Sequence, residues 1–155
     1  MKNLIRLSVL VLSLLAAGNL QAQRLMIGEK APDVKIAKWI GGSQPSGGKA
    51  QLVDFFHSTN DQCVASLSKL DALARQYSGK INFVIVGRED ESKLSPLAVG
   101  KNYAFFFGLD DNGKTFTAYN VRFVPFSVLL DNRGQVVWMG NPSGLTDAIL
   151  DDAVK

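Results

Sequence analysis

The stretch Leu52-Val53-Asp54-Phe55-Phe56-His57-Ser58-Thr59-Asn60-Asp61-Gln62-Cys63 constrains the fold more than any other part of the chain. Its first half lies within Ala50 to Phe56, which is apolar at most positions and predicts a strand buried on both faces. Its second half opens a helix. Asn60 and Asp61 stand at the start, and Val64, Leu67, Leu70, Leu73, Ala74 and Tyr77 recur at helical spacing until Gly79 ends the run. A buried strand that feeds straight into a helix N-terminus belongs to layered α/β architecture. The junction puts Cys63, the only cysteine of the chain, in the first helical turn.

The remaining pattern completes the same class. Val34 to Trp39 alternates, as a half-buried or edge strand does, and Gly41 to Gly48 is a loop by composition. Ile81 to Gly87 is a second buried strand, and the polar patch from Arg88 opens a short helix through Ala98. Tyr103 to Phe107 reads as extended, Asp110-Asp111-Asn112-Gly113 as a turn, and Lys114 to Tyr119 as a short helix. Phe126 to Asp131 and Gln135 to Met139, joined by Asn132-Arg133-Gly134, predict a hairpin, and Leu145 to Val154 a closing helix. The expected fold is a single α/β domain over residues 24–155, a mixed central sheet with helices on both faces.

Residues 1–23 have the layout of an export signal: basic Lys2 and Arg6, apolar Leu7 to Ala17, then small and polar residues before a cut near Ala22 or Gln23. The apolar run is shorter than the roughly 20 residues a membrane span needs, so no stable span is expected after cleavage. The expected location is the periplasm or cell envelope, with secretion as the other destination. Lys2 and Arg6 are two of seventeen basic residues, and the other fifteen against fourteen acidic ones leave the domain near +1. That excludes the basic excess on which nucleic-acid binding rests. Export implies oxidising surroundings, but one cysteine closes no internal disulfide. One histidine and one cysteine do not make a zinc-ligand set, so no metal or cofactor is expected.

Four motifs occur in a telling order. Gly28-Glu29-Lys30-Ala31-Pro32-Asp33 has the form Gly-x-x-Ala-Pro-x, and Leu52-Val53-Asp54-Phe55-Phe56 is an apolar strand carrying one acid. Tyr119-Asn120-Val121-Arg122-Phe123-Val124-Pro125 has the form Tyr-x-Val-x-x-Val-Pro, and Asp131-Asn132-Arg133-Gly134 is an Asp-x-x-Gly turn. Together they resemble the thioredoxin-like superfamily, in particular its envelope members of the TlpA/ResA type; the opening motif is also similar to that of peroxiredoxins. The resemblance covers nearly all of residues 26–155. It implies a thioredoxin-like fold, a cis peptide before Pro125, and a loop at Val124-Pro125 that pairs with substrate peptide. It also implies Cys-x-x-Cys at the helix start, and there this chain departs. Asn60 stands where the attacking cysteine belongs, Thr59 replaces a tryptophan, Asp61-Gln62 replaces a Gly-Pro-like pair, and Phe126 follows the proline where threonine is common.

Thiol–disulfide exchange needs one thiolate to attack and a second thiol to resolve the mixed disulfide. Within these 155 residues there is no second thiol, so two-cysteine cycling is impossible. Asn60 is a candidate helix N-cap, its oxygen accepting the N–H of Gln62 or Cys63; the other reading has its amide bind a ligand at the helix end. Cys63 has two readings. It is an inert buried thiol, or it is a one-cysteine nucleophile that forms mixed disulfides or a sulfenic acid. In the second case Asp54, which matches the buried acid of thioredoxins, is the candidate base. His57 reads as a solvated loop residue rather than a triad member. The groove near Asn60, Val124 and Pro125, with Phe123 and Phe126 at its rim, is expected to take a peptide or protein partner. The function expected is a redox-impaired partner-binding module, and the alternative is a one-cysteine thiol enzyme using Cys63 with Asp54. A peroxiredoxin-like enzyme is its most concrete form, although Thr59 lies four residues from Cys63 where peroxiredoxins have three.

Overall fold

The computed structural model describes residues 24–155, so the export-signal expectation for residues 1–23 lies outside the described residues. In chain order the elements are β1 (Ile36–Ile40), β2 (Ala50–Phe56), α1 (Asp61–Gln76), β3 (Ile81–Gly87), α2 (Glu91–Ala98), β4 (Phe106–Asp110), α3 (Lys114–Ala118), β5 (Phe126–Leu130), β6 (Val136–Gly140), a 3-10 turn (Pro142–Gly144) and α4 (Asp147–Ala153). The strands form one sheet in the order β1-β4-β3-β2-β5-β6. The inner pairs β2–β3 and β3–β4 are parallel; β1–β4, β2–β5 and β5–β6 are antiparallel.

Alternation along β2 and its neighbours sorts the core into two layers. Leu52 and Phe56, with Phe83, Ile85 and Leu129, pack against Leu67 and Leu70 of α1, Leu94 of α2 and Leu150 of α4. Val53 and Phe55, with Val84, Val86, Val128 and Leu130, pack against Phe116 and Tyr119 at α3. Helices therefore cover both faces, as the sequence pattern requires of strands that are apolar on both sides. Asp54 lies between Val53 and Phe55, so by the same alternation it faces the α1 layer, which also holds Cys63.

The N-terminal residues close one edge of the sheet. Gly28 N–H donates to the Val136 carbonyl at 2.8 Å, and Val136 N–H to the Glu29 carbonyl at 2.9 Å. The Tyr119 hydroxyl donates to the Pro32 carbonyl at 2.8 Å and ties this segment to the α3 side.

Three local expectations shift. The strand expected at Tyr103 to Phe107 runs instead over Phe106–Asp110, paired with β3 from Val84↔Phe106 onward. Asp110 is thus the last strand residue rather than the first of a turn, because its carboxylate caps α3: Oδ1 accepts Thr115 N–H at 2.8 Å and Oδ2 accepts Phe116 N–H at 3.0 Å. The closing helix is shorter than Leu145 to Val154, since Thr146 caps it through Ile149 N–H. Val64 is exposed despite its helical spacing, so the α1 core stripe starts at Cys63 and Leu67.

The end of β3 packs tightly on α2. A Cβ added at Gly87 would clash with Leu94 Cδ1, and Leu94 is fully buried. Gly87→Ala is expected to lower stability by about 1–3 kcal/mol through overpacking, measured by urea denaturation; an unchanged midpoint would mean the layer yields freely.

Candidate functional site

The site forms where β2 ends, at the C-terminal edge of the parallel strands. His57 to Asn60 turn the chain, and Asn60 N–H donates to the His57 carbonyl at 3.1 Å. Asn60 then caps α1: its backbone is extended (φ −92°, ψ 111°) and its Oδ1 accepts Cys63 N–H at 3.0 Å. This is the cap predicted from its residue type. The other end of the same amide makes a contact no local pattern announces. Asn60 Nδ2 donates to the Val124 carbonyl at 3.3 Å, across 64 positions of sequence. One side chain thus joins the helix N-terminus to the loop that carries the cis Val124-Pro125 peptide.

Cys63 has no exposed surface, although Asp61, Gln62 and Val64 around it are exposed. Burial pushes its thiol above the ordinary value; a backbone hydrogen bond at His57 works the other way, and the charges of Asp54 and Glu89 add to the rise. Position in the first helical turn favours a thiolate, but here desolvation prevails.

Asp54 sits opposite Ser127 in the β2–β5 register. The Ser127 hydroxyl donates to Asp54 Oδ1 at 2.5 Å, while Oδ2 finds no hydrogen-bond partner among the described residues. Desolvation pushes the carboxyl up to about 7, with the Ser127 bond opposing the rise. An acid of this kind exchanges its proton near neutrality, and it is close enough to Cys63 to act on its ionisation.

The turn before α1 is braced by a residue the sequence did not single out. Glu89, on the loop after β3, accepts Ser58 N–H at 2.7 Å and the Ser58 hydroxyl at 2.6 Å. His57 Nδ1 lies 3.0 Å from Thr59 Oγ1 and 3.5 Å from Glu89 Oε1, so its ring serves this brace rather than a Cys–His pair. The structure brings Asp54, Asn60, Cys63 and Val124 together and leaves His57 on the flank. Pro125 is buried, Val124 and Phe126 are half-buried, and Phe123 is 68 % exposed with its ring edge-on to Phe126 at 5.7 Å. Of the two aromatics expected at the rim, Phe123 is the outer one. Ser127 was legible in principle, as the one polar residue in the apolar run Phe126–Leu130. Glu89 carried no such signal, lying in a polar patch typical of a solvated loop.

No protein-family model matches the chain, and no curated protein matches it. Solved structures do. A Chlorobium tepidum protein assigned as a thiol:disulfide interchange protein, DsbE, superposes with a TM-score of 0.70 at 21% identity, over 84% of this chain and 99% of its own. A thiol-disulfide isomerase from Corynebacterium glutamicum gives 0.63 at 14% identity, covering 83% and 97%. A secreted Mycobacterium tuberculosis disulfide oxidoreductase homologous to DsbE gives 0.56 at 22% identity, covering 70% and 81%. The chain shares their thioredoxin-like fold. Among the described residues no helix is long and apolar enough to cross a membrane.

Proposed function

We propose that this chain is an exported thioredoxin-like protein of the envelope oxidoreductase type that has given up two-cysteine redox cycling and works as a binding module for an extended peptide or protein partner. The observation that carries the reading is Asn60. It stands at the helix position of the attacking cysteine, and both ends of its amide are engaged within the protein, to Cys63 N–H and the Val124 carbonyl. The residue there builds the groove and has no means of attacking a disulfide. The one remaining sulfur is buried, and desolvation raises its pKa, which also counts against a one-cysteine enzyme.

The parts from which such a groove would be built support this reading: the cis Val124-Pro125 peptide as its floor, the capped start of α1 as its far wall and the exposed Phe123 at its rim. An exposed phenylalanine of this size beside half-buried Val124 and Phe126 suits a partner that brings an apolar side chain. Export is the expectation from residues 1–23.

Two measurements on one preparation test the reading. With dithiothreitol as reductant, the protein leaves insulin disulfides at the uncatalysed rate. Titration of ¹⁵N-labelled protein with reduced insulin B chain, an unstructured apolar peptide, shifts amides in residues 57–61 and 122–127. Phe123→Ser abolishes those shifts. Turnover at the rate of an ordinary thioredoxin, or shifts confined to other surfaces, overturns the proposal.

A further inference from the structure

Asn60 does more than replace a missing nucleophile; the geometry points to it as the gate of the only thiol. Three observations meet here. Cys63 has no exposed surface, yet it is one side chain below the exterior, since Asp61, Gln62 and Val64 are all exposed. The 57–60 turn leads into the start of α1, and the Asn60 amide pins that turn to the facing loop through the Val124 carbonyl at 3.3 Å. Behind the thiol, in the same core layer, the buried Asp54 holds an oxygen without a hydrogen-bond partner among the described residues. That arrangement sets a buried thiol and a buried acid behind a hydrogen-bonded latch.

The two segments that this bond joins are otherwise held from different sides. The turn is braced to the β3 side by Glu89 through Ser58. The Val124 loop continues into β5, which pairs with β2 from Phe55↔Phe126 onward. Among the described residues the Asn60–Val124 bond is the direct polar link between them. A single hydrogen bond contributes modestly to a closed state, so losing it raises the open population roughly fivefold to tenfold. A buried group reacts at its intrinsic rate multiplied by that open population.

Alkylation by iodoacetamide reads the gate directly, because Cys63 is the only site of its kind. The thiolate forms a sulfur–carbon bond, iodide leaves, and the thiol proton goes to solvent. Asn60→Ser is the discriminating variant. Serine is as good a helix cap as asparagine, so the bond from Cys63 N–H is retained, but its hydroxyl is too short to reach Val124. Rates are taken on the full chain in buffer and in increasing sub-denaturing urea, with Asn60→Thr as a second variant.

Wild-type protein is expected to label at least about a hundredfold slower than the urea-unfolded chain. Asn60→Ser is expected to label roughly five to ten times faster than wild type, with a rate that hardly depends on urea. Equal rates for wild type and Asn60→Ser would show that the latch does not shield the thiol. A faster rate that climbs with urea along the global unfolding curve would show a loss of stability rather than an opened gate. Either result overturns the assignment, as would native labelling at the unfolded rate. If Asn60→Ser does not fold, the same comparisons on Asn60→Thr decide.

Discussion

Replacing Asp54 by asparagine makes the protein less stable than wild type near pH 4 and more stable near pH 8, with a swing between the two on the order of 4 kcal/mol. The sign follows from proton binding. The folded carboxyl holds its proton up to about 7, whereas an unfolded aspartate loses it near its ordinary 3.8. Between those values the folded state carries the extra proton, so Asp54's contribution is complete below about pH 4 and is lost as pH rises through 7. Above that, a carboxylate with one hydrogen bond stays buried in an apolar layer. Asparagine keeps the oxygen that Ser127 donates to and never ionises. It brings a buried NH₂ without an evident acceptor, which costs about 1–3 kcal/mol at every pH. Urea denaturation of both proteins from pH 4 to 9 gives the difference curve. A flat curve would mean that Asp54 ionises freely in the fold, through hydration of its unpaired oxygen.

The second large effect is a gain of chemistry. Asn60→Cys is expected to turn a protein silent in dithiothreitol-driven insulin reduction into one that accelerates it at least about tenfold over background. The introduced thiol attacks the substrate disulfide and releases one substrate thiol. Cys63 then attacks the introduced sulfur, releases the second substrate thiol and leaves a disulfide within the protein, which dithiothreitol reduces. Asp54, facing the same core layer as Cys63 and pushed up to about 7, is the candidate to take the Cys63 proton in that second step. The change also removes the Asn60 cap, which costs about 1 kcal/mol. The neighbouring carboxylate of Asp61 disfavours a thiolate at position 60, so adding Asp61→Ala should raise the rate further. A silent Asn60→Cys protein that folds normally would show that the groove or Asp54 no longer supports exchange.

How far these residues were legible in sequence depended on the range of the interaction. The β2 strand was clear because every residue from Leu52 to Phe56 is fully buried, and such strands carry their burial in composition. The Asn60 cap was clear because a cap is a contact three residues long, from Asn60 to Cys63. The Tyr103 to Phe107 segment misled because its aromatic run mimics a strand. Tyr103 and Phe105 instead stack at 4.4 Å as β4 approaches, and pairing with β3 sets where the strand begins. Glu89 was invisible, since a carboxylate in a charged loop looks the same whether it faces water or Ser58.

By itself the sequence determined the fold class, through the order of its motifs, and the absence of a second thiol within these 155 residues, which is a matter of counting. Only the tertiary structure decided that Cys63 is sealed, that Asp54 has one bonded and one unpaired oxygen, and that the Asn60 amide reaches Val124. The partners in those last contacts are 73 and 64 residues apart. They meet because β5 returns antiparallel beside β2, setting Ser127 against Asp54 and the Val124 loop against the start of α1. Register of this kind comes from the summed packing of both core layers, and no local stretch of residues encodes it.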